Sequence, residues 1–338
     1  MKALQRILDR AKENPRHIVL PEGTDERVLA AGVRAATDGL ARITLLGKSV
    51  EISGKARSLG LSLDSIEIID PESSPALESL TNLYHQLRHR KGIHYEDALA
   101  KAQQPLCFSD LMVRSGKADG VVAGAVHTTA DVVRNAIQII GLNPASKLVS
   151  SFFLMLMDQP AHFRKGSLLF ADCGLVVEPD TDELAQIAIA SAASARNLLM
   201  TEPKLAMLSF STSGSARHKR VKHVQEATRQ LKQLAPDLAV DGEVQVDAAL
   251  IEEIADKKID RSDVHGHANV LIFPNLDAGN IGYKLVERLA GARAIGPLLQ
   301  GLNRQANDLS RGCSTEDVYH VIAVTVVQSQ ALQNTTTI

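Results

Sequence analysis

Short apolar runs rich in β-branched residues alternate along this chain with longer stretches of helical spacing, and this alternation restricts the fold more than any other feature. His17-Ile18-Val19-Leu20, Ile43-Thr44-Leu45-Leu46, Ile66-Glu67-Ile68-Ile69 and Gly120-Val121-Val122-Ala123 read as strands. Between them, 25–37, 75–90 and 95–115 have the spacing of helices. The pattern resumes with strand candidates at 168–170, 205–210, 238–240 and 270–273. Helices are expected over 181–199, 217–234 and 246–255, and a last one from about 314 to 330. Such repetition builds βαβ units and a mainly parallel sheet. At 338 residues a single small core does not suffice, so two domains, or one large domain split by a cleft, are expected. In parallel α/β sheets ligands bind outside the carboxyl ends of the strands. Attention therefore goes to the strand-end loops Pro21-Glu22-Gly23, Ala123-Gly124-Ala125, Ser211-Thr212-Ser213-Gly214 and Pro274-Asn275.

Composition removes several functional classes. Aromatic residues make up 3% with no Trp, and the formal net charge is -2. A stacking platform for single strands and a basic surface for a polyanion are both missing, so no nucleic-acid partner is expected. The longest apolar stretch, 148–157, is about half of the roughly 20 residues a membrane helix needs. The N-terminus, charged at Lys2, Arg6, Asp9 and Arg10, reads as an amphipathic helix rather than a signal peptide. Cys107, Cys173 and Cys313 are widely spaced and form no CxxC pair, which fits reduced thiols in a cytoplasmic protein. Two nucleotide signatures fail. Gly47-Lys48-Ser49 ends like a P-loop, but Arg42 stands where the first glycine is required, and no GxGxxG follows a strand. His265-Gly266-His267 lacks a clear third ligand nearby, so no metal site is expected.

The most informative segment is Asn307-Asp308-Leu309-Ser310-Arg311-Gly312-Cys313-Ser314-Thr315-Glu316-Asp317. Ser314 followed three residues later by Asp317 resembles a capping box, so a helix starts there. Free N–H groups at a helix start and the fork of an adjacent Arg both suit phosphate or a developing oxyanion. A capped surface helix with an exposed Arg would leave the same pattern. A second cluster, 123–134, ends a strand at Gly124 and opens a helix with Thr128, Thr129 and Arg134, again the makings of a phosphate cradle. A third, 273–284, places Asn280 and Lys284 one helical turn apart. A fourth strand-end loop, 207–217, is rich in hydroxyls.

Taken together these stretches resemble the phosphate acetyltransferase (phosphotransacetylase) family, and more broadly the phosphate acetyl/butyryltransferases. The likeness covers essentially the whole chain. It includes Val19-Leu20-Pro21-Glu22-Gly23, Gly116-Lys117-Ala118-Asp119-Gly120, Leu208-Ser209-Phe210-Ser211, Asp241-Gly242-Glu243, Phe273-Pro274-Asn275-Leu276, Gly279-Asn280-Ile281-Gly282-Tyr283-Lys284 and Gly296-Pro297. Asp308-Leu309-Ser310-Arg311-Gly312-Cys313-Ser314 is the most specific. The chain is also similar to the short form found with ethanolamine utilisation.

The resemblance implies a two-lobed, three-layer αβα fold of the isocitrate/isopropylmalate dehydrogenase kind, with an active-site cleft between the lobes. The expected lobes are 1–147 plus 298–338, and 148–297. It further implies a homodimer, no permanently bound cofactor, and reversible transfer of acetyl between CoA and inorganic phosphate by direct attack of the CoA thiolate. CoA, acetyl-CoA, acetyl phosphate and phosphate are then substrates. Asp317 matches the family's proposed general base, Arg311 the arginine beside acetyl phosphate, and Ser310 the residue that orients the thiol or the intermediate. Arg134 matches a second phosphate-binding arginine, Thr128 and Thr129 fall at phosphate contacts, and Arg88 falls at an arginine implicated in CoA binding. Asn280 and Lys284 are expected among the substrate-binding residues. Cys313, beside an Arg at a helix start, has the look of a nucleophile but no dedicated base. Phosphate butyryl- or propionyltransfer is the alternative within the family, since one methylene changes selectivity by only about 1–3 kcal/mol. An NAD(P)-dependent decarboxylating dehydrogenase is the alternative outside it, and would need a cluster of metal-binding aspartates.

Overall fold

The computed structural model describes residues 2–157 and 166–334. The strands are β1 (Arg16–Leu20), β2 (Ala41–Leu46), β3 (Ile66–Ile69), β4 (Gly120–Ala123), β5 (Ser150–Met157), β6 (Gly166–Ala171), β7 (Lys204–Leu208), β8 (Ala239–Val244), β9 (Val270–Ile272), β10 (Arg293–Gln300) and β11 (Gln305–Asp308). The chain divides into two compact units, one built from 5–143 with the segment from 302 onward, the other from Pro144–Gly301 and the first few residues.

In the first unit five strands pair in the order β11-β4-β1-β2-β3, all parallel. Ile18, Val19 and Leu20 of β1 and Val121, Val122 and Ala123 of β4 are all buried, as expected of strands covered on both faces. The helix Glu26–Thr37 packs on one side together with the C-terminal helix Thr315–Asn334. That last helix is buried nearly all round: Val318, Val321, Ile322, Val324, Val326 and Val327 are each at most 1% exposed, and His320, Thr325, Gln328, Ser329 and Gln330 are buried with them. It is enclosed by β1, β4 and β11 and by Glu26–Thr37. Each of the aliphatic side chains contributes about 1.5–3 kcal/mol by leaving water.

The second unit holds a six-stranded sheet in the order β10-β5-β6-β9-β7-β8. The β6-β9-β7-β8 portion is parallel, whereas β5 pairs antiparallel with both β10 and β6. The expectation of a mainly parallel sheet therefore describes the first unit fully and the second only in part. β5 read in the sequence merely as an apolar stretch, because seven of its eight residues are buried and burial on both faces erases the alternation that marks a strand. The expected helix over 95–115 is two helices, Tyr95–Ala102 and Pro105–Arg114. Pro105 has no N–H to continue the first helix but suits the opening turn of the second. The expected helix over 246–255 is likewise split, into Val246–Leu250 and Glu252–Lys258.

Candidate active site

The strand order of the first unit reverses at β1. From β1 the chain moves outward to β2 and β3, while β4 and β11 add on the opposite side. Consecutive helices leave the carboxyl ends of such neighbouring strands in opposite directions and open a crevice between them. The loops after β1, β4 and β11 meet at this point, since Ile18 pairs with Gly120 and Ala123 with Asp308 in parallel register.

Two side chains, one from the loop after β1 and one from the first turn of the helix Glu26–Thr37 that follows it, bind these loops together. Glu22, 5% exposed, accepts hydrogen bonds from the N–H groups of Gly124, Ala125, Val126 and His127 at 2.8–3.1 Å and bonds the His127 ring at 2.8 Å. Burial alone would raise its carboxyl, but the His127 ring and the N–H groups of His127 and Val126 outweigh that and hold it below the usual range. His127 is correspondingly raised, by its bond to Glu22 and by that carboxylate's charge against a smaller burial penalty. Arg27 reaches further. Its guanidinium is paired with Asp25 at 2.8 and 3.1 Å and donates to Ala125 O at 2.9 Å, Arg311 O at 2.7 Å and Cys313 O at 3.0 Å. One side chain thus fixes the backbone of the loops after β4 and β11 and ties both to the Asp25 side chain after β1.

Held in this way, the turn Ser310–Cys313 closes with Cys313 N–H donating to Ser310 O at 2.9 Å and Gly312 N–H to Ser310 Oγ at 3.3 Å. Arg311 is exposed, and its guanidinium has no hydrogen-bond partner among the described residues. The capping box is formed: Asp317 N–H donates to Ser314 Oγ at 3.2 Å, while Asp317 Oδ2 accepts from Ser314 N–H and Oγ, both at 2.8 Å. Asp317 Oδ1 has no hydrogen-bond partner among the described residues. Capping and chemistry are therefore compatible, because the cap occupies one oxygen of the carboxylate.

Cys313 is 8% exposed, and burial pushes its thiol up to about 11, with Arg27 opposing and the Asp317, Asp25 and Glu22 carboxylates reinforcing the rise. A thiol that high is almost wholly protonated at neutral pH, the reverse of an activated nucleophile. Cys313→Ala is expected to keep kcat within about threefold of wild type. Loss of nearly all turnover in a steady-state assay would restore the nucleophile.

The cradle after β4 is present but occupied by its own side chains. Thr128 caps the helix Thr129–Ile139 by accepting from Asp131 N–H at 3.2 Å, and its hydroxyl donates to Asp131 Oδ2 at 2.7 Å. Arg134, 62% exposed, donates to Asp131 Oδ1 at 3.0 Å. Thr129 donates to Asp308 Oδ2 at 2.6 Å. Arg88 ends the helix Leu77–Arg88, and its Nε is buried with no hydrogen-bond partner among the described residues. Ser310, Arg311, Asp317, Thr128, Thr129, Arg134 and Arg88 thus all belong to the first unit.

Asn280 and Lys284 belong to the second unit, on the helix Leu276–Ala290 after β9. Asn280 Nδ2 donates to Cys173 O at 3.1 Å, whereas Lys284 is exposed beside the Tyr283 ring. Gly279 lets this helix approach closely, for a Cβ there would lie 2.2 Å from Asp172 O. Nearby, at the ends of β7 and β9, a cavity of about 750 Å³ is lined by Phe210, Lys219, Arg220, His223 and Ile281 among others.

Glu22, Arg27, His127 and Asp308 escape residue-by-residue reading. A signal existed for Arg27. A cation in the first turn of a helix opposes the helix dipole and asks for a local reason, and here the reason is three backbone carbonyls.

The family model described as Phosphate acetyl/butaryl transferase matches residues 2–326. A phosphate acetyltransferase from Thermoanaerobacterium thermosaccharolyticum is 48% identical over 330 residues, covering 98% of this chain and 100% of that protein. The solved structure of EutD phosphotransacetylase from Staphylococcus aureus is 40% identical with a TM-score of 0.90, covering 97% of this chain and 98% of its own. A 4-hydroxythreonine-4-phosphate dehydrogenase from Klebsiella pneumoniae is 9% identical with a TM-score of 0.55 over 93% of this chain and 98% of its own, a likeness of fold alone.

Proposed function

We propose that this chain, which belongs to the Phosphate acetyl/butaryl transferase family, is a phosphate acetyltransferase of acetate metabolism and transfers acetyl directly between CoA and inorganic phosphate. The observation that carries the residue assignment is the Arg311 guanidinium, left without a hydrogen-bond partner among the described residues while Arg27 pins its backbone. Such a group is preorganised for an anion that the protein does not itself supply.

In the direction of acetyl-CoA synthesis the CoA sulfur attacks the carbonyl carbon of acetyl phosphate. Asp317 Oδ1 takes the thiol proton as the S–C bond forms. A thiol with an ordinary value near 8.5 is mostly protonated at pH 7, so a positioned carboxylate raises the thiolate share along the reaction path. A carboxylate is a weak base for a thiol, and the Arg311 cation helps by stabilising the negative charge as it moves to the carbonyl oxygen. Collapse of the tetrahedral intermediate breaks the bond from carbon to the phosphate oxygen. Phosphate leaves, and the proton held by Asp317 passes to it or to solvent. Ser310 orients the thiol or the intermediate, Arg134, Thr128 and Thr129 receive the phosphoryl oxygens, and Arg88 binds CoA. Thr128 and Arg134 must turn from Asp131 to do so. We assign Asn280 and Lys284 to substrate binding as well. The cavity lined by their neighbour Ile281 combines basic and apolar side chains, a mixture suited to a phosphorylated nucleotide.

The test is thioester formation and arsenolysis with acetyl, propionyl and butyryl phosphates. Thioester formation that depends on CoA and releases phosphate, and CoA-dependent arsenolysis, are expected, both fastest with acetyl phosphate. Absence of such turnover removes the reading, fastest turnover with butyryl phosphate moves the assignment within the family, and NAD(P)H formation from NAD(P)+ and a 2-hydroxy acid offered in their place selects the dehydrogenase.

We assign the chain to the cytoplasm, where CoA is available, and to a homodimer. No helix among the described residues is long and apolar enough to cross a membrane. Support for the dimer comes from the helix Leu276–Ala290, whose Ile281, Leu285 and Leu289 are 58%, 51% and 81% exposed at successive turns. An apolar stripe of this kind is costly to leave in water. Leu285→Asp with Leu289→Asp is expected to shift sedimentation from dimer to monomer. An unaltered dimer would place the contact elsewhere.

A further inference from the structure

Asp308 closes β11 and is fully buried. Its Oδ2 accepts from Thr129 Oγ1 at 2.6 Å, while Oδ1 has no hydrogen-bond partner among the described residues. Oδ1 is enclosed against the loop after β4, where Gly124 has φ +111 and a Cβ would lie 2.3 Å away. A buried carboxyl oxygen without a partner is uncommon, and an ionised one is costly. Neither the packing nor the reaction described above uses this group.

A hydroxyl has one proton to donate. While Asp308 is ionised, the Thr129 proton is committed to Oδ2 and only oxygen lone pairs remain for a ligand. Lone pairs repel a phosphoryl oxygen. With a proton on Asp308 the bond can reverse: the carboxyl O–H donates to Thr129 Oγ1, and the Thr129 O–H is free to donate to a phosphoryl oxygen. Thr128 gains nothing from that proton, because its hydroxyl is engaged with Asp131 and not with Asp308. We propose that Asp308 is a positioning residue that sets the direction of the Thr129 hydrogen bond, so that a phosphoryl group is bound by the form of the protein carrying a proton on Asp308. The inference rests on the reading of Thr129 as a phosphoryl contact.

The proton is available near neutrality. Burial pushes Asp308 up to about 7, the Glu22 carboxylate adds to the rise, and the Thr129 bond and the Leu309 N–H oppose it only in part. Glu22 is bound to His127. Of the elements packed on β11, β4 has no ionisable side chain, and the helix Thr129–Ile139 carries Asp131 and Arg134, paired with each other. The C-terminal helix carries Glu316, Asp317, Tyr319 and His320, with Glu316 paired to His320 and Tyr319 donating to Asp38 at 2.7 Å.

The experiment measures the KM for acetyl phosphate from about pH 6 to about pH 9 in wild type, Asp308→Asn and Thr129→Val. Acetyl phosphate is used because its own second ionisation lies below this range. In wild type KM should rise about tenfold per pH unit above about pH 7.5, the slope of a single required proton, with kcat nearly constant. The amide of Asp308→Asn donates to Thr129 at every pH, so this variant should show a flat profile and a KM at about pH 8.5 some tenfold below wild type. Thr129→Val should raise KM at low pH and flatten it. Parallel profiles for wild type and Asp308→Asn overturn the inference, as does an Asp308→Asn protein as impaired at about pH 6 as Thr129→Val. If wild type makes no acetyl-CoA at all, the reading of the whole site fails instead. Should Asp308→Asn not fold, proton uptake settles the matter. Wild type mixed with acetyl phosphate in weak buffer at about pH 8 should take up close to one proton per ligand bound, and uptake near zero overturns the proposal.

Discussion

Arg311→Ala is expected to lower kcat by about 100- to 1,000-fold, the loss typical of removing one preorganised donor from a developing oxyanion. The same change should move stability by no more than about 0.5 kcal/mol, because the side chain is exposed and its guanidinium bonds to no described residue. What anchors the turn is the Arg311 carbonyl, held by Arg27 at 2.7 Å, and alanine keeps that carbonyl. Arg311→Lys should recover only part of the loss, since an ammonium is a point charge and cannot address phosphate and carbonyl oxygen with two parallel bonds. Steady-state kinetics on folded protein decide the outcome. If KM for acetyl phosphate rises while kcat stays put, Arg311 contributes equally to substrate and transition state and is a binding residue only.

Asp317→Asn should cost about 100-fold or more in kcat, the usual worth of a general base. Asparagine separates the two tasks of this position. Its amide oxygen can still accept from Ser314 N–H and Oγ, so the start of the C-terminal helix is retained, whereas no oxygen remains that can take a proton. Asp317→Ala should lose the same activity and in addition about 1 kcal/mol of stability, the ordinary value of a helix cap. A CoA analogue with a more acidic thiol should narrow the gap between Asp317→Asn and wild type. An equal defect with both thiols would mean that Asp317 acts through its charge and not as the base that takes the thiol proton.

The first unit was legible because its sheet obeys the simplest rule available. Parallel strands covered on both faces leave blocks such as Ile18-Val19-Leu20 and Val121-Val122-Ala123, separated by helical spacing. β11 was illegible for the opposite reason: Gln305-Ala306-Asn307-Asp308 is polar in composition yet buried, with Asn307 satisfied by Thr325 and Gln328 at 2.8 and 2.7 Å. Such pairing depends on a helix that comes later in the chain, and no local pattern announces it. In the candidate site, hydroxyls and arginines at helix starts could be read locally. The carboxylates that hold them could not, because Glu22 acts across 102 to 105 residues and Asp308 across 179. Arg27 reaches across 284.

The discontinuous first unit also imposes an order on vectorial synthesis. β4 remains a sheet edge until β11 emerges, and the apolar face covered by the C-terminal helix stays open for as long. Pro144–Gly301 is one continuous stretch, so its strands leave the ribosome together and can close their sheet first. The half of the protein begun earliest is thus finished last. A nascent chain halted before residue 302 presents a bare edge of buried-type sequence to any other strand nearby.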